Sequence, residues 1–80
     1  MDDADIVARI NRLADEEHEL ERSHTSGGLS EEERSRLDHL EVALDQCWDL
    51  LRQRRARRKA GLDPDEAEVR SESVVEHYQQ

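Results

Sequence analysis

The sequence predicts an all-α fold: an antiparallel helical hairpin with a short C-terminal helix or tail, dimerising into a four-helix bundle. Three features carry that prediction. Two long stretches repeat apolar residues at helical spacing. A Gly-Gly break separates them, and a capping signal restarts the chain after the break. Charged residues make up 41% of the 80-residue chain and apolar residues 34%. That composition lies near the boundary of disorder, but the apolar residues are periodic and not scattered, so ordered helices follow.

The first helix spans about residues 3 to 22. Ile6, Ile10, Leu13, Glu17 and Leu20 keep a 4-3-4-3 spacing, and Val7 and Ala14 widen the stripe. Asp2, Asp3 and Asp5 stand in its first turns, where the helix dipole favours negative charge. Ser23 to Leu29 is the break, with Gly27 and Gly28 free to end one helix and reverse the chain. Ser30 and Glu33 then fit a capping box and fix the start of a second helix over about residues 30 to 60.

That second helix organises the rest. Leu37, Leu40, Leu44, Cys47 and Leu51 form a packing seam, with Trp48 flanking it as a core or dimer-interface anchor. Beyond Leu51 the face turns basic through Arg52, Arg55, Arg58 and Lys59. Gly61 is a natural stop. Asp63 as N-cap and Pro64 at the first helical position start a short third helix. In the last ten residues Val74, Val75 and Tyr78 read either as a docking patch or as a tail. The chain thus divides into a hairpin (1–60) and a C-terminal helix or tail (61–80). Folding at the glycines sets Leu13 near Leu44, Ile10 near Cys47 and Ile6 near Leu51. It also brings Asp2, Asp3 and Asp5 towards Arg52, Arg54 and Arg55. One hairpin leaves the outer half of each stripe uncovered, which points to a homodimer.

Charge narrows the function classes. The net charge is -9, with 21 acidic and 12 basic residues. Six bases and no acid fall between residues 50 and 60, so a basic band sits between acidic ends. It lacks interleaved aromatics for base stacking, and its acidic neighbours repel phosphate. An acidic protein surface, or the chain's own acidic arm, suits the band better than nucleic acid does. No apolar run has signal-peptide or membrane-spanning length, and the lone cysteine fits a reducing compartment, so a cytoplasmic protein is expected.

Few residues suggest chemistry. Glu17 takes a seam position where leucine is expected, and a carboxylate there calls for a partner, either Arg34 or Arg36 or a residue of a second chain. Asp15 and His18 have a spacing used in metal-binding bundles, and His39 lies at a similar level. The inward Glu-x-x-His pairs of such sites are absent, so no metal is expected. Cys47 reads as a small buried hydrophobe, since nothing nearby in sequence lowers its pKa. No catalytic or cofactor motif is present.

The segments LEVALDQCWDLLRQRRARRKAGLDPDEAEVR and DIVARINRLADEEHEL together resemble a family of short actinobacterial proteins catalogued as a domain of unknown function. The resemblance covers nearly the whole chain and rests most specifically on DQCWDLLRQRRA. It implies a free-standing small helical protein and supplies no activity or site residue. The residues themselves point to a non-enzymatic helical interaction protein, a homodimeric adaptor or regulator. Its candidate contacts are Glu17, Cys47, Trp48, Leu51, Arg52, Arg55, Arg58 and Lys59. A nucleic-acid factor using the band from Arg52 to Lys59 is the alternative, and a metal- or ligand-binding bundle comes after it.

Overall fold

The computed structural model describes residues 2–23 and 28–71. Loop residues 24–27, with His24 and Gly27, lie outside them, as do residues 72–80 with Val74, Val75, His77 and Tyr78. The architecture is all-α. Helix α1 (Asp3–Ser23) packs against α2 (Glu31–Lys59), and a single 3-10 turn at Pro64–Glu66 packs on α2.

The start of α1 and both ends of α2 are closed by local hydrogen-bond devices. At the start of α1 the Asp2 carboxylate accepts from the Asp5 amide and the Asp5 carboxylate accepts from the Asp2 amide. The Asp5 amide holds the Asp2 carboxyl below the ordinary carboxylate range. At the start of α2 the Ser30 hydroxyl accepts from the Glu33 amide at 3.1 Å, and the Glu33 carboxylate accepts from the Ser30 amide at 2.9 Å. This reciprocal pair satisfies two of the donors that every helix start leaves open. Helix α2 stops at Ala60 because Gly61 takes φ +75°, a conformation that costs other residues a Cβ clash. The turn lets the Leu62 amide donate to the Arg57 carbonyl and the Gly61 amide to the Arg58 carbonyl, the two bonds of a Schellman stop. Asp63 then caps the 3-10 turn by accepting from the Asp65 amide.

The core sits between the helices towards the open end of the hairpin. Ile6, Ile10, Cys47, Leu50 and Leu51 are buried together, with Leu13, Leu44 and Ala67 packed around them. Leu40 is buried too. Burying a side chain of this size contributes about 1.5–3 kcal/mol, so the few such residues leave the fold dependent on its polar cross-links. Two charged residues are buried among them: Asp49 is fully enclosed and Arg54 is 6% exposed.

Trp48 lies outside this core. Its side chain is 49% exposed, which corrects the expectation of a core anchor within one chain. The reason is angular. Successive residues are about 100° apart around a helix, so Trp48 falls well to one side of the seam marked by Cys47. On the other side of the seam the chain folds back. Residues 67–71 run along α2, where the Gln46 amide donates to the Arg70 carbonyl and the Gln53 amide donates to the Glu68 carbonyl. This strap covers the Leu50 side of the hairpin and, among the described residues, leaves the Trp48 side bare.

Candidate interaction surface

The basic half of α2 is the most heavily cross-linked part of the molecule. Arg54 continues the seven-residue spacing of Leu40 and Cys47, so it points inward where the apolar seam runs out. Its guanidinium donates to the Asp3 carboxylate at 2.5 Å, to the Asp65 carboxylate at 2.9 Å and to the Pro64 carbonyl at 3.2 Å. Arg58 donates to the same Asp3 at 2.8 Å. The Arg58 and Arg54 guanidiniums hold the Asp3 carboxyl below the ordinary range, and Asp3 in turn raises Arg54. Arg57 pairs with Glu66 at 3.5 Å. One acidic arm and the 3-10 turn thus close over three of the arginines.

A second node lies at Asp49. Its carboxylate accepts two hydrogen bonds from Arg70, one of them at 2.8 Å, and one from Gln53 at 3.0 Å. Arg52 approaches it at 3.8 Å. Arg70 is the main reason the Asp49 carboxyl sits below its ordinary range despite burial. The strap is therefore tied to α2 by charge as well as by the two glutamines.

Between α1, α2 and the strap lies a small cleft of about 70 Å³. Ile6, Ala43, Cys47, Leu50 and Val69 form its apolar walls, and Arg9 and Gln46 its polar rim. Burial pushes the Cys47 thiol up, only partly opposed by Arg9. The thiol is accordingly held in its protonated form. Among the described residues no three His, Cys, Asp or Glu side chains converge on a metal position. His18 and His39 are exposed.

The sequence-level candidates separate into distinct places. Cys47 and Leu51 are core, Arg52 and Arg58 are engaged with Asp49 and Asp3, and Arg55, Lys59 and Trp48 are exposed. Arg55 forms no ion pair with a described residue, so the expected pairing of Arg52, Arg54 and Arg55 with the acidic arm is corrected to Arg54 and Arg58 on Asp3. For Glu17 the pairing with Arg34 or Arg36 is not formed among the described residues. Arg36 pairs with the adjacent Glu16 at 2.5 Å and not with Glu17. Glu17 is half-buried, and desolvation together with the nearby Glu21 and Glu41 raises its carboxyl above the ordinary range. Arg54 does meet the acidic arm as its place in the hairpin predicts, and the seven-residue spacing from Leu40 and Cys47 accounts for its burial. Asp49 and Arg70 are not marked by the sequence, because nothing local signals their pairing.

The profile of a family described as a protein of unknown function (DUF2630) matches residues 2–80. The chain belongs to this family. Its relatives include uncharacterized proteins of Mycobacterium bovis and of two strains of Mycobacterium tuberculosis. Each is 51% identical over 77 residues, covering 95% of this chain and 88% of the relative. No solved structure matches the chain significantly. Among the described residues of this family member, no helix is long and apolar enough to cross a membrane.

The antiparallel arrangement decides which residues share the bare side. In two antiparallel helices facing each other, the residue after each seam position turns to the same side of the pair. Val7 follows Ile6, Ala14 follows Leu13 and Trp48 follows Cys47. Val7 is 44% exposed and Ala14 is exposed, so the three make an open face opposite the strap.

Proposed function

We propose that the protein is a non-enzymatic helical interaction module that works as a homodimer, in the role of a small adaptor or regulator. One observation carries this reading: Trp48 stands 49% exposed on the side of the hairpin that the strap does not cover, and Val7, also exposed, turns to the same side. A tryptophan offers more apolar contact area than any other side chain, and an exposed one flanked by apolar residues is the usual centre of a protein contact. The engaged arginines support the reading from the other direction. Asp3, Asp65 and Glu66 draw Arg54, Arg57 and Arg58 into the fold's own ion pairs, which weakens the case for a phosphate-binding surface. Light scattering at micromolar concentration is the test. A mass twice the 9.3 kDa of the chain supports the reading, and a mass of one chain overturns it.

A further inference from the structure

Along the bare face, charge is distributed in a way that selects its occupant. Glu41, Trp48 and Arg55 are each seven residues apart, so they lie on one stripe of α2. Trp48 is the midpoint, with the carboxylate about 10 Å to one side of it and the guanidinium about 10 Å to the other. All three are exposed, and Arg55 makes no ion pair with a described residue. The acidic end is crowded. Glu17 is raised above the ordinary carboxylate range by desolvation and by the charges of Glu21 and Glu41 near it. A cation placed there would relieve the crowding.

We propose that a second copy of this chain docks on the face about a twofold axis beside Trp48, setting Arg55 of each copy against Glu41 of the other. This rests on the homodimer reading and adds its register. A twofold axis perpendicular to α2 at Trp48 exchanges the two ends of the stripe, so each basic end meets an acidic end at the same distance from the axis. Running the two copies parallel would set arginine against arginine and glutamate against glutamate, and like charges in register oppose association. The two tryptophans meet at the axis, where the contact is driest and aromatic burial contributes most. Val7 of each hairpin extends the apolar centre.

The experiment is a charge swap in the full chain, followed by sedimentation equilibrium at two salt concentrations. Glu41→Arg and Arg55→Glu each place like charges across the axis twice, and each should weaken association by about tenfold or more. The double variant restores opposite charges in reversed order and should recover association to within about threefold of the parent. Both positions are exposed, and circular dichroism on each variant confirms that the helices are retained. A dimeric parent whose single variants dimerise unchanged, or whose double variant fails to recover, overturns the register and leaves the homodimer reading standing. A monomeric parent overturns both.

Discussion

Replacing Asp49 with alanine removes the carboxylate that ties the strap to α2. Asp49 is fully enclosed, and it accepts hydrogen bonds from both Arg70 and Gln53. Breaking a buried ion pair on one side costs about 3–5 kcal/mol, because a charge is stranded, whereas an exposed pair is worth about 0–1 kcal/mol. Arg70 falls between these limits. Its side chain is 35% exposed, so the orphaned guanidinium can turn to water. The loss is then about 2 kcal/mol, a large share of the stability of a small domain and a fall in Tm of about 10 °C. Thermal and urea unfolding followed by circular dichroism at pH 7 and fixed protein concentration reads this directly. A double-mutant cycle with Arg70→Ala should give a coupling of about 1–2 kcal/mol. The direction with pH follows from the lowered carboxyl. The unfolded state takes up its proton first as pH falls, so the contribution is present above the ordinary carboxylate range and is lost as pH drops through the depressed folded value. Asp49→Asn should accordingly show a shallower loss of stability in acid than the parent. An Asp49→Ala variant within about 0.5 kcal/mol of the parent, or a coupling of zero, would refute the view that this charge pair holds the strap.

Other perturbations test other parts of the fold. Trp48→Ala should abolish dimerisation while costing the isolated hairpin only about 1 kcal/mol, half of the indole being in water already; analytical ultracentrifugation and dilute thermal melts separate the two effects. Gly61→Ala should cost about 1 kcal/mol in urea titration, since φ +75° strains any side chain although nothing stands within 4 Å of its Cβ. Ser30→Ala should cost a similar amount, about 1 kcal/mol, by opening the capping box of α2, and a loss of helicity in circular dichroism accompanies it. Glu17→Gln should stabilise the chain at pH 7 when measured at concentrations where it is monomeric. The raised folded pKa of Glu17 means that ionising it opposes folding, so the advantage shrinks as pH falls and the parent's own carboxyl is protonated. A Glu17→Gln variant less stable than the parent at pH 7 would contradict this.

The hairpin was legible because its signals are local and periodic. The seam residues Ile6, Ile10 and Leu51 recur at helical spacing, and Ser30, Glu33 and Gly61 announce helix ends through bonds to their immediate neighbours. Register followed from the loop's position alone. What could not be read was anything requiring a partner distant in sequence and reached through irregular backbone. Asp49 looks like any solvent-facing acid on α2 until residues 67–71 return and deliver Arg70 to it. Trp48 was half legible for a different reason. Hydrophobic size suggested the core or a dimer interface, and its angular offset from Cys47 by one residue takes it out of the core of the single chain. The arginine band was half legible: its neutralisation by an acidic arm was expected, but helix phase chose Arg54 and Arg58 over Arg52 and Arg55.

The way Gln46 and Gln53 grip the strap has a consequence for how this chain tolerates change. Both side-chain amides donate to carbonyls of the main chain, at Arg70 and Glu68, and Gln53 donates to the Asp49 carboxylate as well. A carbonyl is common to all twenty amino acids, so the hold is indifferent to what residue 68 happens to be. Evolutionary drift should therefore be permissive at Glu68, whose side chain is exposed, and strict at the two glutamines that hold the strap by its backbone. Deep mutational scanning with a folding reporter would display that asymmetry as a flat profile at position 68 beside sharp minima at 46 and 53.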